Sequence, residues 1–261
     1  MSASWKPMVV TAALVSAVLI VDDATSAPPP GAEPSATPVA NDVPTPSPTL
    51  APGTDPPLPH RDARGVIQTT GGEAATVALT FDDGPSPAYT PQVLRILDKH
   101  DIKDTFCVVG RNATAHPDLV REIADRGHTL CDHTVTHDLG LPTRDGERIH
   151  TEIGGALDAI HAADPDIEVP FYRAPGGNFA TNVIDVAAGY GLQPLGWSVD
   201  PRDWTEPGAD AIQTTVVEGI GPGSIVLLHD GGGEQAGTVA ALDDIITALN
   251  GLGYQFVIPK M

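Results

Sequence analysis

From about Gly71 to the last residue the sequence predicts an α/β domain built on a parallel sheet. Two observations carry this. Short β-branched or apolar runs alternate with longer amphipathic stretches, the pattern of repeated strand–helix–strand units. Each chemically loaded segment also falls directly after an apolar run, and parallel α/β folds collect their functional groups at the carboxyl ends of strands.

Taken in order, Val77–Phe81 is the first strand, and Pro91–His100 carries Val93, Leu94, Ile96 and Leu97 at helical spacing. Thr105–Val109 is the second strand. Pro117–Asp125 is a helix whose Pro117 suits the first turn. His128–Cys131 is the third strand, and Glu147–Ala163 is a longer helix with Ile149, Ile153, Leu157 and Ile160 on one face. Phe171–Arg173, a helix near Thr181–Gly189, Pro194–Val199 and a helix near Ala209–Ile220 follow. Ser224–His229, a helix at Val239–Leu249 and Tyr254–Ile258 complete seven strands, which fit either a barrel or an open doubly wound sheet.

Upstream the texture differs. Lys6 precedes a largely apolar run, Met8–Val21, and small residues follow at Ala24–Ala27. That layout predicts a signal peptide over 1–27; a retained anchor is the alternative, although Asp22 and Asp23 end the run short of the roughly 20 residues a span requires. Twelve of the 26 prolines lie between Pro28 and Pro59, so 28–70 reads as a Pro/Thr/Ser/Ala-rich disordered linker and 71–261 as the catalytic domain. The expected location is secreted or cell-wall-associated, with no stable membrane span. Fourteen basic against 34 acidic residues give a formal charge of −20, which repels a polyanion and excludes nucleic acid as a partner. Two cysteines, Cys107 and Cys131, fit one bridge in an oxidising compartment or two buried thiols.

Five segments carry the chemistry. Asp82-Asp83-Gly84-Pro85 puts adjacent carboxylates at a strand end, where they repel unless a cation or a shared proton intervenes; a plain turn with a helix cap is the bland reading. Asp132-His133-Thr134-Val135-Thr136-His137 offers two imidazoles four residues apart. With a carboxylate from a neighbouring strand they make a His-His-Asp set suited to a divalent ion with open positions, though Cys131 is a further candidate ligand. In Arg173-Ala174-Pro175-Gly176-Gly177 the arginine calls for a carboxylate partner, and the glycines let backbone N–H groups approach a ligand. Asp203-Trp204 pairs a polar tuner with an apolar platform of the kind that sugar faces prefer. His229 stands where the run Ile225–Leu228 ends; elsewhere such a residue is often a satisfied core histidine.

In this order the five segments resemble the five motifs of the polysaccharide deacetylases of carbohydrate esterase family four, the NodB-homology fold, over about residues 75–261. The resemblance implies a distorted (β/α) barrel of about seven parallel strands, with zinc, or sometimes cobalt, at its mouth. It implies Asp83, His133 and His137 as metal ligands and Asp82 as general base. Arg173 would orient Asp82, and His229 would be the general acid tuned by Asp203. Leu227 and Trp204 would line the acetyl pocket, the Gly176 N–H would face the oxyanion, and Thr134 would join these substrate-binding groups while supporting the site from behind. Similar enzymes often carry an aromatic residue where this chain has Gly176, so a wall of the groove differs. Cys107 and Cys131 stand where other members often have an aromatic and a glycine, which points to a local staple.

The expected activity is removal of acetyl groups, foremost N-acetyl, from a cell-wall-type polysaccharide such as peptidoglycan or chitin, by a monomer. An O-acetyl xylan esterase of the same family is the alternative. A two-carboxylate glycosidase leaves His133, His137 and His229 without a task. A sugar-binding module without catalysis does not call for Asp82 and His229, and a small-amide hydrolase does not call for a signal peptide.

Overall fold

The structure, a computed structural model, describes residues 61–62, 64–71 and 75–261. The expected signal peptide and nearly all of the expected linker lie outside the described residues. Seven parallel strands form one curled sheet: β1 (Thr76–Asp82), β2 (Thr105–Val108), β3 (Thr129–Asp132), β4 (Phe171–Tyr172), β5 (Gln193–Pro194), β6 (Ser224–His229) and β7 (Gln255–Phe256). Their order is β5-β4-β3-β2-β1-β6, with β7 paired to the start of β1. The helices are α1 (Thr90–Lys99), α2 (Gly110–Ala115), α3 (Pro117–Asp125), α4 (Gly146–Ala163), α5 (Thr181–Gly189), α6 (Ala209–Gly219) and α7 (Ala236–Gly251). The parallel, distorted-barrel expectation is met.

Strand alternation sorts side chains between two cores. Val77, Leu79, Phe81, Phe106, Leu130, Val226 and Leu228 face the helices, where Val93, Leu97, Ile123, Leu242 and Ile246 cover them. Ala78, Cys107, Cys131, Phe171 and Ile225 face inward, with Ile67 and Leu195, and fill a narrow interior with mostly small groups. Cys107 and Cys131 lie opposite one another on β2 and β3 and form a disulfide, so Cys131 is unavailable to a metal.

Three expectations need correction. The ordered domain begins before Gly71. Val66 and Ile67 are fully buried, Ile67 N–H donates to Pro194 O (2.9 Å), and Ile67 O accepts from Gly196 N–H (2.8 Å). Thr69 bridges Ser224. This short stretch therefore fills the seam between β5 and β6 beside the direct bridge of Val199 to Val226. The expected strand Pro194–Val199 is also largely irregular. The carbonyls of Leu195 and Gly196 accept from Arg173 at 3.0 and 3.1 Å, and only Leu195 and Val199 make isolated bridges. Third, α2 had no expected counterpart, because Gly110-Arg-Asn-Ala-Thr-Ala has no apolar period and buries only Gly110 and Ala113. No helix among the described residues is long and apolar enough to cross a membrane.

Candidate active site

The inward parity of the strands decides which motif residues meet. On β1 the inward residues are Ala78, Thr80 and Asp82; on β6 they are Ile225, Leu227 and His229, and Asp82 pairs in register with His229. Arg173 continues the inward parity of Phe171. All three side chains therefore arrive at the same end of the barrel.

Arg173 is fully buried, and each nitrogen of its guanidinium has a partner. Its Nη1 donates to Asp82 Oδ1 (2.7 Å) and Thr80 Oγ1 (2.8 Å), while Nε and Nη2 donate to the carbonyls of Leu195 and Gly196. The guanidinium also lies 5.6 Å from the centre of the Trp197 ring. Burial pushes the Asp82 carboxyl upward, but the charges of Arg173, His133 and His229, with the Arg173 hydrogen bond, hold it below the usual carboxylate range. Asp82 Oδ2 is left facing His133 Nε2 at 3.5 Å.

Asp83 leaves the strand in a left-handed conformation, φ 71°, which turns it away from its neighbour. Thr134 (φ 63°) and His137 (φ 57°) are also left-handed, so three non-glycine residues at the mouth hold conformations that cost about 1–3 kcal/mol each. His133 Nδ1 donates to Arg173 O (2.7 Å), which aims Nε2 into the site. Asp83 Oδ1 lies 3.5 Å from His133 Nε2 and 3.4 Å from His137 Nε2. That oxygen is buried and has no hydrogen-bond partner. One ligand atom each from Asp83, His133 and His137 falls within 4.8 Å of the other two. Two donors each about 2.1 Å from a tetrahedral ion stand about 3.4 Å apart, so the orphaned oxygen and the two imidazoles fit a divalent ion. Burial, and then the charge of His133, lowers the His137 pKa, which keeps the ring neutral as a ligand requires.

Opposite, His229 Nδ1 is held by Asp203 Oδ1 (2.7 Å), and Asp203 Oδ2 accepts from the His229 backbone N–H and Thr238 Oγ1, each at 2.8 Å. Burial opposes the charged imidazole. The Asp203 hydrogen bond and charge, with the charges of Asp82 and Asp83, outweigh it and raise the His229 pKa to about 9. The ring is therefore a protonated donor at neutral pH.

A cavity of about 490 Å³ joins these groups, large enough for one sugar with its acetyl arm, and Leu227, Trp204, Gly176 and Leu139 line it with them. Trp204 is 51% exposed, as a sugar platform requires. Thr134 does not face this cavity. It is fully buried and its Oγ1 accepts from His137 N–H (3.1 Å), so its expected substrate contact is replaced by a brace on the loop.

Several residues here carried no signal in the sequence. Asn112, on α2, donates from Nδ2 to Asp83 O (2.8 Å). A Cβ on Gly232 would stand 2.3 Å from Asp83 Oδ2, so the backbone there must pass bare. Asp230 is buried beneath Gly84 and accepts from Thr90 Oγ1. Burial, opposed by the Thr90 hydrogen bond and reinforced by the charges of Asp83 and Asp82, pushes its pKa up to about 7.

Comparison with known proteins supplies the remaining finding. Residues 70–195 match the family model described as polysaccharide deacetylase. A chitooligosaccharide deacetylase of Sinorhizobium fredii is 42% identical over 200 residues, covering 72% of this chain and 92% of that protein. A peptidoglycan-N-acetylglucosamine deacetylase of Bacillus cereus is 39% identical over 184 residues, covering 69% and 84%. A solved carbohydrate esterase family four pseudoenzyme from Bacillus anthracis superposes with a TM-score of 0.69 at 29% identity, covering 75% of this chain and 68% of that one.

Proposed function

This chain belongs to the polysaccharide deacetylase family, and we propose that it is an exported, divalent-metal-dependent enzyme that hydrolyses the N-acetyl groups of a GlcNAc-containing polymer. The observation that carries the proposal is the unpartnered Asp83 Oδ1 beside two imidazole nitrogens, with Asp82 on one flank and His229 joined to the same cavity. The names of the rhizobial and Bacillus relatives support chitooligosaccharide or peptidoglycan GlcNAc as the substrate class. Lys6, the apolar run after it and the small residues Ala24–Ala27 support export.

Asp83, His133 and His137 would hold the ion, zinc by preference and cobalt as a substitute. When bound, such an ion supplies Lewis acidity, polarising the acetyl carbonyl and lowering the pKa of water. Asp82 is the base: Arg173 engages Oδ1 and leaves Oδ2 to take the proton of the attacking water. A carboxylate held this acidic is a weak base toward bulk water, which is why the site calls for an ion. The Gly176 N–H faces the developing oxyanion, and one such donor is worth about 10²–10³ in rate. Leu227 and Trp204 enclose the acetyl methyl. His229, oriented by Asp203, gives its Nε2 proton to the departing amine, so that water and the amide become acetate and a free amino sugar.

The deciding experiment measures acetate release from chitin oligomers, peptidoglycan and acetylated xylan, before and after chelation and with zinc restored. The expected result is chelator-sensitive release from GlcNAc polymers. Release from xylan alone makes it an O-acetyl esterase. No release from any polymer by zinc-loaded protein makes it a binding module, the reading that the pseudoenzyme likeness brings to mind. Chelator-insensitive release overturns the metal assignment.

A further inference from the structure

His137 reaches the cavity from a loop whose internal brace, His137 N–H to Thr134 Oγ1, is supplemented from outside. Residues 134–137 contain two left-handed non-glycine conformations, Thr134 and His137, and such strain persists only where the surroundings over-determine it. Part of the restraint comes from α2, where the Gly110 and Arg111 N–H groups donate to the carbonyls of Thr134 (2.9 Å) and Val135 (3.0 Å), and from Asp132 Oδ1, which accepts from Thr134 N–H (2.9 Å). The hold on Thr136, next to His137, comes from one buried side chain on α4. Glu152, 1% exposed, accepts from the Thr136 backbone N–H at Oε2 (2.8 Å) and from Thr136 Oγ1 at Oε1 (2.7 Å). Arg148 Nη2 donates to Oε1 from one turn earlier in the helix. The Glu152 carbonyl takes a further bond, from Val135 N–H (2.9 Å). The loop lies close against both α4 and α2: a Cβ on Gly155 of α4 would come within 2.9 Å of the Val135 side chain, and one on Gly110 of α2 within 3.1 Å of Val135 Cα. His137 is the next residue, and its own N–H goes to Thr134 Oγ1.

We infer that Glu152 is a positioning residue, fixing His137 Nε2 against Asp83 and His133 by clamping Thr136 to α4. The inference rests on the metal reading of that triad. It gives a task to a charged residue on the buried face of an otherwise apolar helix, where a partnerless carboxylate would be strongly disfavoured. Glutamine there keeps one oxygen for the Thr136 N–H but presents its amide N–H₂ to Thr136 Oγ1 and Arg148 Nη2; the hydroxyl can turn to accept, the guanidinium cannot. The clamp loosens while the helix keeps its packing.

The test is zinc affinity, measured on the full metal-stripped chain by competition with a chromogenic chelator. Glu152→Gln is expected to bind zinc about 10–100-fold more weakly, the usual effect of losing a residue that orients a ligand. Much of its kcat should return when zinc is raised to saturation. Thr136→Val, which removes only the hydroxyl leg of the clamp, should show a smaller loss in the same direction, and it decides the matter if Glu152→Gln does not fold. Val216→Ala, in the core behind α6, is the control for lost stability alone. Wild-type zinc affinity in a folded Glu152→Gln protein overturns the inference. So does a Val216→Ala protein that loses as much zinc affinity for the same fall in Tm. Failure of the wild-type chain to take up zinc overturns the metal reading itself, and this inference with it.

Discussion

Replacing Asp203 by Asn probes the acid end of the site. The Asp203 carboxylate accepts four hydrogen bonds: from His229 Nδ1 (2.7 Å), the His229 backbone N–H (2.8 Å), the Trp204 backbone N–H (3.1 Å) and Thr238 Oγ1 (2.8 Å). An amide of the same shape leaves one accepting oxygen and turns N–H₂ toward donors that can no longer be met. Two buried donors lose their acceptor, at about 1–3 kcal/mol each. The substitution also removes the charge that does most to raise His229. That pKa stands at about 9 against an ordinary 6.5, a difference equivalent to about 3 kcal/mol. Because the folded-state pKa is raised, the stabilisation is complete below pH 6.5 and is lost as pH rises through 9. The wild-type advantage over Asp203→Asn in urea denaturation should therefore be wider at pH 6 than at pH 10 by up to about 3 kcal/mol, leaving a pH-independent remainder from the unmet donors. In a pH profile of kcat/KM, the alkaline limb should start near pH 9 in the wild type and move down by at least about one unit in the variant. A folded Asp203→Asn protein with unchanged metal content and an unmoved alkaline limb would refute His229 as the titrating acid.

Three further outcomes follow from the same geometry. Asp82→Asn should keep its metal, by elemental analysis, and lose about 10²–10⁴ in kcat as a general base would; loss of metal instead would make Asp82 a ligand. Gly232→Ala sets a methyl 2.3 Å from Asp83 Oδ2 at a backbone φ of 76°, so zinc uptake should fall while far-UV circular dichroism remains that of the wild type. Serine at both Cys107 and Cys131 opens a loop of sequence separation 24, and the urea-derived stability should drop by about 3.5 kcal/mol; reduction of the wild type should reproduce that drop.

Patterning in the sequence located six of the strands closely, β5 by a single residue, and all the α-helices except α2, because burial of an apolar stripe leaves a pattern behind. It failed where the backbone serves something other than a ladder or a stripe. Leu195 and Gly196 turn their carbonyls to Arg173, so an apolar run that looked like a strand is mostly irregular. Val66 and Ile67 are too short a run to stand out beside a proline-rich segment, yet they are as buried as the strands. Within the site, the motif residues were legible because their chemistry is rare in combination. Their supports were not: Asn112 and Glu152 are ordinary polar residues on helices, and only the third dimension brings them to Asp83 and Thr136. Thr134 was placed in the right neighbourhood with the wrong task, since a four-residue spacing does not say which hydroxyl turns inward.

The two adjacent aspartates hold the rest together. As neighbours on an extended strand, Asp82 and Asp83 would point to opposite faces, and only one would reach the mouth. As neighbours in a simple turn, they would share one environment and repel. The chain avoids both outcomes. β1 parity sends Asp82 inward onto the fixed fork of Arg173, and the left-handed φ of 71° at Asp83 swings the second carboxylate toward His133 and His137. Bare backbone at Gly232 makes room for it, and Asn112 ties down its carbonyl. One carboxylate is thus matched to a permanent cation and, on the proposed metal reading, the other to a divalent ion. Like charges on consecutive residues are then tolerated because each has its own counter-charge. A backbone cost of about 1–3 kcal/mol at Asp83 is small beside the several kcal/mol that an uncompensated buried carboxylate would impose. On the proposed assignment the strain at this turn belongs to the chemistry: it would separate a base from a ligand within a single peptide unit.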